Sequence, residues 1–384
     1  MSSSMQTDIA VIGGGMGSLH AVEECAKNKN VKVTAIFGNN FLEFPMAAAI
    51  ILADPSEHPK WVCGDPKTFE VKGVNYVYDS VAEVNAAEKV ITTSKGQTVA
   101  YKVLIVASGS KSPLIQPAPG ASLADRFAEV KEAAAAIKAA NTAVVYGTGL
   151  VGLEIAGDIR ARNPQKRVVL VSRDGGILGA ESPELRARVL PVLEKMKIEV
   201  LKGTAGEDFL QPKLTSGTVP LTNGSVSELQ YDIWIPAFAQ GPSTDFLKAS
   251  GALDERGRIA ANECLQSTKF PEIFGCSVTT VPLGQNVRQE RSPEAKGCHP
   301  REARGQGGPS THGRAHECED RTRQRWVPPL EQPGAWQRPL LLALEGRFPL
   351  LPSTMLLVLC PRLCDLLGDM LWPSGVRGRL DLHA

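Results

Sequence analysis

The chain has 384 residues, 43% of them hydrophobic and 22% charged, with few aromatic residues and a formal net charge of +1. That length accommodates two or three domains of ordinary size, and the apolar share is that of a globular protein. The near-neutral balance excludes the basic footprint of a nucleic-acid binder and the acidic excess of a disordered chain, so the expected partner is a small molecule.

Residues 1–7 are short and polar and lead straight into an apolar strand, without the basic and apolar regions of a secretory signal. Ser2 stands where N-myristoylation needs glycine. The expectation is a cytoplasmic protein, and any peripheral membrane contact would have to come from another segment. Eight cysteines are scattered with no CxxC pair, which argues against a zinc ribbon or a thioredoxin-type dithiol and for a reducing compartment. His20 and His58 have no partners at metal-ligand spacing, so no metal site is expected and both are read as packing or surface residues.

In chain order, the first element is the strand at residues 8–12 (DIAVI), followed at once by Gly13-Gly14-Gly15-Met16-Gly17-Ser18 and a helix running to about Lys27. A GxGxxG turn between strand and helix has mechanical meaning. Gly13 permits the turn, Gly15 lets the backbone approach a diphosphate, Gly17 adds no bulk, and the small Ser18 replaces the third glycine. The helix N-terminus then offers its unsatisfied N–H groups and positive dipole end to the phosphates. The next strand, residues 31–37, should end in an acid that meets the ribose of an adenosine, but Phe37 or Gly38 stands there. Cys63, in the loop from Trp61 to Pro66, is read as a buried thiol rather than a nucleophile. The alanine-rich stretch 128–140 is expected to be helical.

The pattern then repeats. Residues 142–146 (TAVVY) form a strand, Gly147-Thr148-Gly149-Leu150-Val151-Gly152 complete the fingerprint, and a helix carrying Glu154 reaches about Arg162. The following strand, 167–171, ends in Ser172-Arg173 in place of an acid. A hydroxyl and a guanidinium at that point are expected to accept a 2′-phosphate, so strict NAD selectivity is not expected. One such turn is a weak signal. Two, each set between an apolar strand and a helix, point to an α/β protein with two Rossmann-like dinucleotide-binding units.

The composition changes near residue 285. Residues 1–284 hold 19 Lys and 9 Arg, whereas the remainder holds 1 Lys and 13 Arg and contains no Tyr or Ile. An abrupt change of this kind is what a shift of reading frame in GC-rich coding sequence produces, with a natural disordered tail as the alternative. Residues 285–384 are therefore not expected to form a domain. The apolar stretch 348–372 is interrupted by Pro352, Pro361, Arg362, Asp365 and Asp369 and does not read as a spanning helix.

Two further segments complete a resemblance. Residues 101–110 (YKVLIVASGS), with Ala107 and Gly109, resemble the "YDxLVIATGS" strand and turn of two-dinucleotide flavoproteins. Residues 231–247 (YDIWIPAFAQGPSTDFL), with Gly241, resemble their second copy, and residues 257–268 with 271–274 resemble the run that returns the chain to the flavin domain. The order matches the pyridine nucleotide-disulfide oxidoreductase superfamily over residues 8 to about 280. Residues 40–53 lack the CxxxxC pair of the glutathione reductase type. They are similar instead to apoptosis-inducing-factor-like and ferroptosis-suppressor-like NAD(P)H quinone oxidoreductases and type II NADH dehydrogenases.

This resemblance implies an FAD-binding domain at 1–112 and 245–284, with an NAD(P)H-binding domain at 113–244 inserted into it. It implies FAD at the first cradle, NAD(P)H at the second, and transfer of hydride to flavin and then of two electrons to a quinone-like or other small acceptor. Glu154 matches the family glutamate on the nicotinamide side. The local sequence alone equally allows a solvated carboxylate at a helix start. Where the family has an aspartate that hydrogen-bonds the flavin's ribityl chain, this chain has Val278, a loss of about 1.5–3 kcal/mol of binding. A catalytically impaired nucleotide-binding sensor is the alternative that this departure keeps open.

Overall fold

The computed structural model describes residues 4–262 and 264–280 except for 180–182. The compositional tail from 285, including the interrupted apolar stretch, lies outside the described residues. The two repeats fold as two parallel sheets. The first holds β1 (Ile9–Ile12), β2 (Val33–Phe37), β3 (Asn75–Tyr78), β4 (Val103–Val106) and, from much later in the chain, β9 (Ile273–Gly275). Its strand order is β9-β4-β1-β2-β3, with every pairing parallel. The second holds β5 (Thr142–Tyr146), β6 (Arg167–Ser172), β7 (Ile198–Lys202) and β8 (Ile233–Pro236) in the order β7-β6-β5-β8, again all parallel.

The inner strands β1, β2, β5 and β6 are short, largely apolar runs that are buried almost throughout, as strands covered on both faces need to be, whereas the edge strands β3 and β7 keep exposed positions. Val168, Val169, Leu170 and Val171 in β6 are all fully buried. In each sheet the chain leaves the central strand to build one side and later returns to build the other. The central strands β1 and β5 are thus the points where strand order reverses, and ligands of open α/β sheets bind at the carboxyl ends there.

Helix α1 (Met16–Ala26) follows β1, and α4 (Leu150–Arg162) follows β5. Between them come α2 (Ala48–Ala53) and the expected alanine-rich helix, α3 (Leu123–Ala139), which a Ser122–Asp125 capping box opens. Two smaller antiparallel pieces flank the sheets. Strands Val81–Asn85, Val90–Thr93 and Thr98–Ala100 extend the first unit, and Gly217–Thr222 with Glu228–Tyr231 extend the second.

Helix α2 precedes β3 in sequence yet does not stay with the first sheet. Ala48, Ala49 and Leu52 share one buried cluster with Ala133 and Ile137 of α3, Leu153 and Ala156 of α4, and Val145 of β5. The short side chains of α2 permit this close approach, so the two units are joined through a common core.

Candidate functional site: two dinucleotide cradles

The two glycine turns are built in the same way. Gly13 has φ +127° and Gly147 has φ +121°, a backbone region that only glycine enters without strain. The Gly13 amide donates to the Ile36 carbonyl and the Gly147 amide to the Val171 carbonyl, each at 3.0 Å. Opposite them, the Ala107 amide donates to the Ile12 carbonyl and the Ala237 amide to the Tyr146 carbonyl, each at 2.8 Å. A Cβ on Gly13 would lie 2.2 Å from the Ala107 carbonyl oxygen, and one on Gly147 would lie 2.9 Å from that of Ala237. Ala107 therefore acts as a backbone wall of the first cradle.

Gly15 and Gly149 are the N-caps of α1 and α4, extended in backbone and without any side-chain cap. No atom lies within 4 Å of where a Cβ would stand on either residue. An open surface above an uncapped helix start is what a diphosphate requires, so both cradles fit the diphosphate of a dinucleotide. The third small position differs. A Cβ on Gly152 would be 2.0 Å from the Gly147 carbonyl oxygen, whereas in the first cradle Ser18 is fully buried and its hydroxyl donates to the Gly15 carbonyl at 2.7 Å. Gly17 sits in the first turn of α1, where a Cβ would meet Cys276 Sγ at 3.5 Å.

Gly109 (φ +72°) and Gly241 (φ +101°) lie on two chain segments that cross between the sheets. The Ser243 amide donates to Gly109, the Lys111 amide to Gly241 and the Gln240 amide to Lys111, so the crossings form a short paired ladder. Ser108 Oγ reinforces it by donating to the Ser243 carbonyl at 2.6 Å.

The ends of the second strands depart from the pattern in different ways. Phe37 is fully buried, stacked with Phe69 and edge-on to Tyr76 and Tyr78, so no carboxylate waits there for a ribose. Gly38 accepts the Gly120 amide. In the second unit Ser172 is buried, and its hydroxyl is already given to Asp174 Oδ1 at 2.6 Å. Arg173, next to it, is exposed.

Glu154 is 6% exposed, which overturns the solvated-carboxylate alternative. Burial, followed by the nearby Asp158 charge, raises its pKa from 4.5 to about 8, so its carboxyl holds a proton at neutral pH. Asp158, one turn along α4, is 4% exposed. Cys63 is buried as expected, and burial pushes its thiol pKa up, consistent with an inert thiol.

Sequence reading missed one constellation altogether. The side chains of Glu43, His58 and Arg126 are each 1% exposed. Arg126 Nη2 donates to Glu43 Oε1 at 2.7 Å, Arg126 Nε donates to Glu43 Oε2 at 2.9 Å, and His58 Nε2 lies 2.8 Å from Glu43 Oε2. Arg126 also donates twice to the Leu114 carbonyl and once to Glu129. Burial alone would raise the Glu43 pKa, but the hydrogen bonds from His58 and Arg126 outweigh it and hold the carboxyl below its ordinary value. His58 is thus a member of a buried polar network and not a surface residue. Nothing in the spacing of these residues announces it, since Glu43 and Arg126 are 83 positions apart. Among the described residues, no group of three or more His, Cys, Asp or Glu is arranged to hold a metal, and no helix is long and apolar enough to cross a membrane.

Comparison with known proteins agrees with this geometry. The sequence pattern of the pyridine nucleotide-disulphide oxidoreductases matches residues 7–287. The chain belongs to that family. Family membership brings two cofactors, FAD and NAD(P)H. The chain is 26% identical over 202 residues to FAD-dependent oxidoreductase FVFD30 of Flammulina velutipes, covering 50% of this chain and 61% of that protein. It is 24% identical over 204 residues to human ferroptosis suppressor protein 1, covering 50% of this chain and 51% of that one. This chain therefore spans only half to three-fifths of the length of those two relatives. Its fold is similar to that of an engineered water-forming NADPH oxidase bound to NADPH, with a TM-score of 0.56 at 17% identity, over 72% of this chain and 63% of the other.

Proposed function

We propose that this protein is a flavin-dependent oxidoreductase that takes hydride from NAD(P)H and passes two electrons to a small quinone-like acceptor. The observation that supports this most is the duplicated cradle, with two open, uncapped helix starts at the reversal points of two sheets that share a core. When bound, the nicotinamide and flavin supply the hydride and electron chemistry.

The chain's own residues bind and orient. Gly13, Gly15 and Gly17 hold the FAD diphosphate against α1, with Ala107 as the opposing backbone and the buried Ser18 tying the helix to the turn through its bond to Gly15. Gly147, Gly149 and Gly152 hold the NAD(P)H diphosphate against α4. Gly109 and Gly241 supply the positive-φ turns of the paired crossings that link the two units. Glu154 is the residue assigned to the nicotinamide side. With a proton on its carboxyl it is a neutral donor at neutral pH, and it places no negative charge beside electron-rich rings. No cysteine lies in residues 40–53, so direct reduction of a small acceptor is favoured over a dithiol relay.

Phe37 and Val278, which supply no carboxylate to the flavin side, favour a second reading: a nucleotide-binding sensor that does not turn over. An absorbance spectrum of the purified full chain separates the two. The oxidoreductase is yellow, is bleached by NADH or NADPH under anaerobic conditions, and regains colour on addition of a short-chain quinone. A colourless protein that binds NAD(P)H but consumes none when given FAD and quinone would overturn the proposal in favour of the sensor.

A further inference from the structure

We infer that Asp174 reads the adenosine ribose at the second cradle and makes this protein select NADH over NADPH. The inference rests on the assignment of NAD(P)H to Gly147–Gly152 and deepens it. In Rossmann units the ribose nearest the adenine meets the end of the strand after the cradle, where a carboxylate accepts from the 2′-hydroxyl. Here that strand is β6, and its last residue, Ser172, carries no charge.

The structure supplies the missing carboxylate from two residues further on. Asp174 Oδ1 accepts the Ser172 hydroxyl at 2.6 Å and the Gly176 amide at 3.0 Å, so an exposed carboxylate is fastened to the strand end. The same two bonds hold it ionised, with a contribution from the Arg173 charge. The loop that carries it is fixed at both sides. Gly175 turns at φ +81° over the stem of Lys202, and the Leu178 amide donates to the carbonyl of Thr148, inside the glycine cradle, at 2.8 Å. The Asp174 loop is thus tied directly to the backbone that faces the diphosphate.

Two cations stand nearby, and they do not reverse the sign. Arg173 is exposed at the end of a long side chain, and part of its field is spent on Asp174. Lys202 is exposed as well, with its stem packed under Gly175. Drawing either onto a 2′-phosphate costs rotamer entropy, whereas the carboxylate is already in place. A ribose diol can donate to that carboxylate, and a 2′-phosphate can only be repelled by it.

The test is direct titration of the full-length protein with NADH and with NADPH, followed by calorimetry, for the wild type and for Asp174→Asn, Ser172→Ala and Arg173→Ala. The wild type is expected to bind NADH at least about 5-fold more tightly than NADPH, the scale of one solvent-exposed charge contact. Asp174→Asn should remove most of that ratio. Ser172→Ala, which unfastens the carboxylate, should reduce it in part, and Arg173→Ala should leave it within about 2-fold. Tighter binding of NADPH by the wild type, or a ratio unmoved by Asp174→Asn, would overturn this inference alone. Binding of neither nucleotide would overturn the cradle assignment and this inference with it.

Discussion

The two cradles were built on one plan and have diverged at one level of it. Both keep the backbone part: a central strand, a glycine at positive φ walled by a crossing strand, and an uncapped helix start. They differ where side chains do the reading. The first ends its second strand in Phe37, sealed into an aromatic cluster, and the second ends in Ser172 with Asp174 fastened to it. A diphosphate is gripped by backbone N–H groups that every residue except proline carries, so that grip survives most sequence change. A ribose is recognised by a particular side chain, and a single substitution removes or relocates it.

The largest test breaks the connection between the units. Arg126→Met leaves Glu43 buried without its guanidinium and frees the Leu114 carbonyl. It should cost about 3–5 kcal/mol in urea unfolding. A loss below about 1 kcal/mol would mean that the clamp does not hold the shared core.

Glu154 offers the next effect, through pH. Its folded pKa of about 8 lies above its unfolded value of 4.5, so between those values the folded state holds a proton that the unfolded state has released. Stability therefore falls as pH rises through that window, by up to about 1.4 kcal/mol per unit. Glu154→Gln should remove the decline and be the more stable protein at pH 8. Parallel stability-versus-pH curves for the two proteins would show that Glu154 is not perturbed.

A smaller effect compares one position in the two cradles. Gly152→Ala drives a Cβ into the Gly147 carbonyl and should cost about 1–3 kcal/mol. Ser18→Ala loses only the hydrogen bond to Gly15, about 1 kcal/mol. Equal losses in thermal unfolding would mean that the two turns are packed alike.

The sharpest separation of binding from folding comes from Gly15→Ala and Gly149→Ala, whose added methyls point into open space. Neither should change stability by more than about 0.5 kcal/mol. The first should weaken FAD binding and the second NAD(P)H binding, each by about tenfold or more. If both variants bind as the wild type does, the diphosphates lie elsewhere.

Much of this was readable beforehand because its causes are local. The strands at 142–146 and after both glycine turns, the helix reaching Arg162 and the alanine-rich helix fall within a few residues of where periodicity and glycine spacing put them. The ribose ends were only half readable. The absence of acids at Phe37 and Ser172 was visible, but Asp174 stands two positions late and becomes relevant only when a turn folds it back onto Ser172. Glu154 could be picked out as a candidate, while its burial and protonation depend on what packs over α4.

By itself, the sequence determined the glycine turns and the strands that feed them, because positive φ, a missing Cβ and a run of apolar residues act within a few residues of chain. Tertiary structure alone decided which charges are buried and with whom. Glu43 meets Arg126 across 83 positions, and α2 leaves its own sheet to enter the core of the other unit. Desolvation and ion pairing are set by neighbours that the chain brings together only on folding, and no local spacing encodes them.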